Sequence, residues 1–248
     1  MSHHIVDVKE LAHAYPDGTE ALRGVSFHIG HGEAVALVGA NGAGKSTLLM
    51  HLNGYLATER GEVRIGDTSV TRETAALVRR AVGMVFQDPD DQLFMPTVGE
   101  DVAFGPLNAG LPAEQVERRV AAALERVGMA HVRGRPPYRL SAGEKRAVAI
   151  ATVLAMEPDI LVMDEPSANL DPRARRRLIN LLVSFEHTRI IATHDLELVV
   201  EVCPRVIVLD AGRIVADGKT EEVLDDEALM LAHGLERPHI LRHRHPHG

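Results

Sequence analysis

The chain has little cysteine, no long apolar run and no excess of positive charge. Cys203 is its single cysteine, so no internal disulfide can form, and we expect a reducing compartment with the thiol buried as a small apolar group. The longest apolar run, residues 147–156, is too short to cross a bilayer, and the N-terminus lacks the apolar stretch of a secretory signal. We therefore expect any membrane role to depend on a partner.

The charge balance of the chain is acidic. A formal net charge of -8 argues against a nucleic-acid partner, whose binding surface would need clustered lysine and arginine. Hydrophobic residues make up 45% of the chain, which is enough for a packed core and excludes a disordered protein. A length of 248 residues suits one large domain, or one domain with an inserted subdomain.

Segments typical of strands and of helices alternate along most of the chain. The first third contains strand patterns such as IVDVKEL and ALRGVSFHI, separated by turn residues. Between about residues 88 and 139 the pattern is helical, with valine and leucine at steps of three and four between residues 112 and 128. The remainder alternates helices with the strands DILVMDE, RIIAT and RVIVLD. This order predicts an α/β core with a parallel sheet, interrupted by a helical insertion.

The segment GANGAGKST fits the phosphate-loop pattern G-x-x-x-x-G-K-[ST], and it lies between a predicted strand and a predicted helix, as that motif requires. Its glycines let successive backbone N–H groups face phosphate oxygens, and the helix adds its positive end. Lys45 would reach the β- and γ-phosphates, and the Ser46 hydroxyl would bind Mg²⁺. The predicted nucleotide-binding residues are Gly39, Asn41, Gly42, Ala43, Gly44, Lys45, Ser46 and Thr47.

Two carboxylates, Asp164 and Glu165, end the apolar strand DILVMDE. A carboxylate at the end of a buried strand beside a phosphate loop can hold Mg²⁺ through its water shell, which is the role expected of Asp164. Glu165 would act as a general base for the attacking water, or would orient that water. Taken alone, the pair could be an ordinary solvated strand end; the phosphate loop favours the catalytic interpretation.

Four further motifs follow in order: VGMVFQ ending at Gln87, LSAGEKRA, SANLD, and ATHD with His194. Together with the phosphate loop and the carboxylate pair, they resemble the ATP-binding cassette (ABC) ATPases over residues 5–218. By this resemblance Gln87 belongs to the Q-loop, LSAGEKRA is the signature loop, SANLD is the D-loop and His194 is the switch histidine. Tyr15 lies where the family places an aromatic ring against adenine.

The resemblance implies a P-loop ATPase core with a mostly parallel sheet, an N-terminal antiparallel β subdomain and an inserted α-helical subdomain. It implies a single domain over residues 1–248. Within it we place the core and β subdomain at 1–87 and 157–220, the helical subdomain with the signature loop at 88–156, a C-terminal helical extension at 221–234 and a His-rich tail at 235–248.

The resemblance also implies that two cassettes share each ATP. In that arrangement Ser141 and Gly143 of the signature loop contact the γ-phosphate held by the phosphate loop of the other cassette. Asp171 of the D-loop is counted with the nucleotide-binding residues, His194 contacts the γ-phosphate in cis, and Gln87 joins Ser46 and Asp164 around Mg²⁺. The catalytic residues are then Lys45, Gln87, Glu165 and His194.

Two residues of the signature loop depart from the family pattern. Ala142 and Glu144 stand where the family usually has glycine and glutamine. The alanine adds a methyl group where backbone approaches phosphate, and the glutamate adds negative charge near ATP.

A narrower resemblance, in YPDGTEALRGVSF and FQDPDDQLFMPTVGEDVAFGPLNAGL, is to the cassettes of energy-coupling-factor importers, especially those for cobalt or nickel. It implies an ATP-hydrolysing subunit, peripheral at the cytoplasmic face of the cell membrane, that pairs with a second cassette (a copy or a related chain). Leu93, Phe94 and Met95 would form a groove for a helix of the membrane subunits, unless these apolar residues fold inward.

Three alternatives remain: a vitamin importer, a soluble ABC ATPase acting on nucleic acid or ribosomes, and a metal-binding regulatory module. The acidic charge argues against a nucleic-acid role, and the complete hydrolytic set argues against a purely regulatory module.

The chain ends in HILRHRHPHG, with four histidines. Neutral imidazoles are good ligands for Ni²⁺, Co²⁺ and Zn²⁺, so His243, His245 and His247 are candidate ligands in a tail that wraps around one ion. The alternative is a solvated end with no metal role.

Overall fold

The computed structural model describes residues 4–242, which form two sheets flanked by helices. The strands are β1 (His4–Ala14), β2 (Glu20–Gly30), β3 (Ala34–Val38), β4 (Arg60–Ile65), β5 (Thr68–Ser69), β6 (Val82–Val85), β7 (Ile160–Asp164), β8 (Thr188–Ala192), β9 (Arg205–Asp210) and β10 (Arg213–Lys219). The helices are α1 (Lys45–Leu52), α2 (Ala75–Ala81), α3 (Val98–Asn108), α4 (Ala113–Arg126), α5 (Ala142–Leu154), α6 (Pro172–Val183), α7 (Leu196–Val202), α8 (Thr220–Asp225), α9 (Glu227–Ala232) and α10 (His239–Arg242). Short 3-10 helices lie at Pro89–Asp91, Ala130–Val132 and Pro137–Arg139.

The first sheet is antiparallel, with strand order β2-β1-β4-β5. A tight turn joins β1 to β2: the Gly18 N–H donates to the Tyr15 carbonyl at 2.9 Å, and Gly18 has a φ of 87°, which suits glycine. From Val25 to Ile29, alternate residues of β2 are buried, the period of a strand with one face on a core. That face packs on α1 and on the second sheet.

The second sheet has the strand order β10-β9-β3-β8-β7-β6, parallel except for the β9–β10 hairpin. In β3, Val35 and Leu37 join the core below the first sheet, whereas Ala36 and Val38 join the core formed with α3–α7. Because both faces are covered, β3 and β7 are buried along their whole length. The sheets and helices form the mixed α/β fold expected from the sequence. The carboxyl ends of β3, β8 and β7 lie side by side, where open parallel sheets bind ligands.

The inserted helices α3, α4 and α5 pack on one another. As predicted, α4 is amphipathic, with Val116, Val120 and Leu124 buried on one face. None of the helices between residues 4 and 242 is long and apolar enough to cross a membrane.

The loop between β6 and α3 corrects one of the predictions made from the sequence. Leu93 is 8% exposed and belongs to the core, so its assignment to an open groove is wrong. Phe94 is 62% exposed, and Met95 is half-buried. The chain turns here because the buried carboxylate of Asp101 accepts hydrogen bonds from the Phe94 and Met95 N–H groups, each at 3.0 Å.

The first residues of the segment that we placed in the His-rich tail are packed. Leu235 and Leu241 are buried, and α10 packs against α7. Arg237 pairs with Asp225 at 2.5 Å and donates to the Leu241 carbonyl at 3.0 Å. His243, His245 and His247 lie outside the described residues.

Candidate active site

The loop between β3 and α1, residues 39–44, passes so close to neighbouring backbone that two of its positions accept only glycine. A Cβ atom on Gly39 would lie 2.1 Å from the Leu209 carbonyl oxygen, and one on Gly44 would lie 2.4 Å from the Ala21 carbonyl oxygen. Gly44 also has a φ of 106°. The close approach to neighbouring backbone therefore fixes the loop in a shape whose N–H groups, with the first turn of α1, suit an anion.

Lys45 begins α1 and is only 7% exposed. Its Nζ donates to the Gly39 carbonyl at 2.7 Å and to the Ala40 carbonyl at 3.1 Å. Burial lowers the pKa of Lys45, while the nearby Glu165 and Asp164 carboxylates act in the opposite direction. The ammonium group is thus held across the loop, next to the two acids at the sheet edge.

Asp164 is the last residue of β7 and is 5% exposed. Burial raises the pKa of this carboxyl, and the neighbouring Glu165 raises it further, whereas a hydrogen bond from Ser46 lowers it. The hydroxyl of Ser46 and the carboxylate of Asp164 are therefore adjacent. Hard oxygen ligands of this kind, few in number, are what Mg²⁺ takes from proteins at phosphate sites, so these residues fit that ion.

Glu165 follows β7 with a φ of 46°, a conformation uncommon outside glycine, and is 5% exposed. Its Oε2 accepts a hydrogen bond from the Thr193 hydroxyl at 3.0 Å and from the His194 N–H at 3.3 Å. The Nδ1 atom of His194 lies 2.8 Å from the same oxygen. The residues that follow β8 therefore orient the acid at the end of β7, and the imidazole side chain is 67% exposed.

Gln87 is exposed on the loop after β6, and its backbone is anchored by a residue that the sequence reasoning missed. Arg146 of α5 is 4% exposed and donates to the Phe86 carbonyl at 2.7 Å and to the Gln87 carbonyl at 2.5 Å. The sequence carried a signal for this residue: Arg146 lies three and four positions before Ala149 and Ile150, so it shares the buried face of α5 with them. A cation on an apolar helix face needs buried partners.

Tyr15 precedes β2, and its hydroxyl lies 3.0 Å from the hydroxyl of Thr47 on α1. The ring of His13 contacts the Tyr15 ring edge-on, with a centroid distance of 4.8 Å. These contacts hold the aromatic ring beside the phosphate loop.

An open cleft of about 790 Å³ brings most of the predicted residues together. Its predicted lining residues are Tyr15, Gly39, Asn41, Gly42, Gly44, Lys45, Ser46, Thr47, Gln87, Asp164, Glu165 and His194. Ala43 lies behind the loop, 4% exposed, with its carbonyl bound to the Gly212 N–H. Thr19, Glu20, Ala21, Ala40, Gly234 and Leu235 also line the cleft and were not predicted.

Ser141, Gly143 and Asp171 are not among the residues that line this cleft. Asp171 caps α6 by accepting hydrogen bonds from the Arg173 and Ala174 N–H groups at 2.8 and 2.9 Å. A Cβ atom on Gly143 would lie 3.0 Å from that of Ala174, so glycine lets α5 approach α6 closely. Ser141 is exposed at the start of α5.

Glu144, one of the departures in the signature loop, has a structural role. Its Oε2 accepts hydrogen bonds from the backbone N–H and the hydroxyl of Ser141, both at 2.8 Å, and the Glu144 N–H donates to that hydroxyl at 3.3 Å. This is a capping box, which stabilises the first turn of α5. The hydrogen bonds from Ser141 also lower the pKa of Glu144, so it stays ionised.

Comparisons with known proteins identify the family to which this site belongs. The family model described as ABC transporter matches residues 22–168, more than half of the chain. The chain belongs to the ABC transporter family. It is an ATPase of that family, and its hydrolysis of ATP is coupled to transport.

Individual relatives of this ABC ATPase match it over nearly its whole length. A Geobacter sulfurreducens protein, named as a candidate ATP-binding protein of an ABC transporter, is 67% identical over 238 residues, 96% of each chain. The energy-coupling factor transporter ATP-binding protein EcfA of Methanocaldococcus jannaschii is 47% identical and covers 96% of this chain and 87% of its own.

Solved structures of related proteins have the same fold as this chain. CbiO1 of Clostridium perfringens, described as part of the ABC transporter complex CbiONQ, has a TM-score of 0.82 and 40% identity, covering 97% of this chain and 98% of its own. A dimeric ATP-binding cassette in a post-hydrolysis state with ADP and phosphate has a TM-score of 0.79 and 27% identity, covering 87% and 98%.

Proposed function

We propose that this ABC ATPase is the ATP-hydrolysing subunit of an importer of the energy-coupling-factor type, for cobalt or nickel ions, bound peripherally at the cytoplasmic face of the membrane. Relatives named EcfA and the likeness to CbiO1 support the transporter type. An exposed apolar surface on the helical insertion, where a membrane subunit can dock, carries the proposal.

The docking surface consists of Phe94, Phe104 and Leu107, which are 62%, 41% and 57% exposed. The rings of Phe94 and Phe104 meet edge-on with a centroid distance of 4.9 Å, and Leu107 follows Phe104 by three residues on α3, so they share one face. Scattered exposed apolar residues need no explanation, but a cluster of aromatic ones indicates a binding surface.

The partner that fits this surface is a helix of a membrane subunit with an apolar face and basic flanking residues. The adjoining loop is acidic: Asp88 and Asp91 are exposed, and Asp90, also exposed, already pairs with Lys145 at 2.6 Å. The same loop leads back to Gln87, whose backbone Arg146 holds. A helix seated here would therefore contact the segment that enters the nucleotide cleft. A conformational change during ATP hydrolysis could pass through this segment to the membrane subunits.

In the proposed chemistry, Lys45 and the N–H groups of the phosphate loop hold the phosphate chain, and Tyr15 packs on adenine. Ser46, Asp164 and Gln87 would hold Mg²⁺, which when bound neutralises charge on the β- and γ-phosphates. Glu165 accepts a proton from the attacking water.

His194 lies against Glu165 through Nδ1, and its exposed ring would contact the γ-phosphate from the same chain.

The proposed ATPase acts as a pair of cassettes. Ser141 and Gly143 do not line the cleft of their own chain, which agrees with a second cassette supplying them to the γ-phosphate. The exposed start of α5, with its capping box, presents Ser141 outward for that contact. Closing and opening of the pair would then transmit hydrolysis to the partner helix.

Co-purification tests the proposed partner. The tagged chain, extracted from its native membranes in mild detergent, should capture strongly hydrophobic subunits that mass spectrometry can identify. Phe94→Asp should abolish that capture, because it adds negative charge to an acidic loop and removes the apolar contact. The matched control is Val183→Asp, which replaces an apolar residue that is 58% exposed on α6.

Capture that Phe94→Asp leaves unchanged would contradict the docking surface. Capture of nucleic acid or ribosomes in place of membrane subunits would overturn the transporter proposal.

A further inference from the structure

The C-terminal segment after α9 turns sharply at Gly234. The Leu235 N–H donates to the Met230 carbonyl at 2.9 Å, and the Gly234 N–H donates to the Leu231 carbonyl at 3.2 Å. With Gly234 at a φ of 69°, this is a Schellman motif, which ends a helix and brings the residue after the glycine back onto its last turn. Met230 and Leu235 accordingly lie in the same core, 0% and 9% exposed.

A polar contact fastens this turn beside the phosphate loop. The Nδ1 atom of His233 lies 2.8 Å from Oδ2 of Asp210, the last residue of β9. Two residues later, the Gly212 N–H donates to the Ala43 carbonyl at 3.0 Å. The end of α9 is therefore tied through β9 to the nucleotide loop itself.

Gly234 and Leu235 line the same cleft as the phosphate loop. The groups suited to phosphate and its metal in that cleft are Lys45, Ser46, Asp164 and Glu165. The C-terminal residues present only backbone and an aliphatic side chain, which suit the uncharged part of a nucleotide. Leu235 is the last residue of the turn, and its small exposed fraction belongs to the cleft wall.

We infer that the turn at residues 233–235 is a wall of the nucleotide site, in which Leu235 contacts the base or ribose of bound ATP and His233 acts as a positioning residue. This inference rests on ATP binding in the cleft. It adds to the nucleotide site a residue that recognises the nucleoside and that lies outside residues 22–168, the part of the chain matched by the family model.

Two probes, MgATP and magnesium triphosphate without a nucleoside, test the inference by calorimetry on the full-length protein. Leu235→Ala should weaken MgATP binding by roughly three- to tenfold through lost apolar contact, and leave triphosphate binding within about twofold. The KM for ATP should rise by a similar factor with kcat unchanged. Leu235→Met, which keeps the volume, should restore wild-type affinity.

His233→Ala should give a smaller rise in KM, since it loosens the turn without touching the nucleotide. The control Leu231→Ala changes an exposed residue of the same helix (62% exposed) and should have no effect. Equal loss of ATP and triphosphate binding in Leu235→Ala, or unchanged ATP affinity in a folded Leu235→Ala protein, would overturn the inference. Lys45→Ala distinguishes a failure of the proposed ATP site from a failure of this inference. If Lys45→Ala binds both MgATP and magnesium triphosphate as the wild type does, ATP does not bind in this cleft.

Discussion

Replacing Glu165 by glutamine tests the hydrolytic step with little change of shape. The side chain is 5% exposed, its Oε2 accepts hydrogen bonds from the Thr193 hydroxyl and the His194 N–H, and the same oxygen lies 2.8 Å from Nδ1 of His194. An amide oxygen can accept the same hydrogen bonds, but bonds to a neutral group are weaker, so we expect a stability loss of about 1 kcal/mol. The amide cannot accept a proton, so kcat should fall by about 10²- to 10⁴-fold, or about 3–5 kcal/mol in the activation barrier.

Steady-state phosphate release gives the rate, and binding of a fluorescent ATP analogue shows whether affinity persists. Glu165→Gln should bind ATP as the wild type does and should accumulate as a dimer, because the closed pair is not released by hydrolysis. The matched control is Glu114→Gln, an exposed carboxylate on α4 that does not line the cleft, and its rate should stay within about twofold of wild type. A near-normal rate in Glu165→Gln would refute the assignment of the base.

Other predictions test the shared site, a buried histidine and the tail. Lys45→Ala and Ser141→Arg proteins should each be inactive, while a mixture should regain activity through heterodimers with one intact site; full activity of Ser141→Arg alone would contradict a composite site. His51 is 0% exposed, and burial, with a smaller contribution from His13, lowers its pKa to about 4. The unfolded histidine binds a proton below about pH 6.5, so stability should fall as the pH drops, by about 2 kcal/mol at pH 5. Chemical unfolding at pH 7.5 and 5 should show this loss, and His51→Leu should remove it; an equal loss in both proteins would refute it. Deleting residues 243–248, which leaves the packed α10 intact, should abolish calorimetric Ni²⁺ binding without changing ATP turnover if the terminal histidines bind metal, and equal binding by both proteins would retire that hypothesis.

The phosphate loop and the carboxylate pair were predictable because their function depends on local patterns. The spacing in GANGAGKST and the apolar strand before Asp164 each specify backbone geometry within a few residues. The parallel sheet then brings the ends of β3, β7 and β8 to one edge, so the cleft follows from the order of the strands.

Other features depend on contacts between distant segments and were not predictable. Arg146 reaches the Gln87 carbonyl across 59 residues, and the turn after Leu93 includes hydrogen bonds from the Phe94 and Met95 N–H groups to the buried Asp101. The C-terminal wall needs the His233–Asp210 contact to bring α9 beside the phosphate loop. Apolar and polar patterns assign a residue to a helix or a loop, but they do not say which distant partner it meets.

Reconstituted transport measures whether ATP hydrolysis by this chain drives import of a metal ion. The chain, purified together with the membrane subunits that it captures, is placed in proteoliposomes, and uptake of Co²⁺ or Ni²⁺ is measured with MgATP on the side that this chain faces. We expect uptake that requires ATP and that stops with Glu165→Gln. The Phe94→Asp chain should not assemble with the membrane subunits and should therefore give no uptake. Uptake of either ion at the same rate without ATP or with Glu165→Gln would contradict this expectation, and ATP-driven uptake of a vitamin but of neither metal would contradict the proposed substrate.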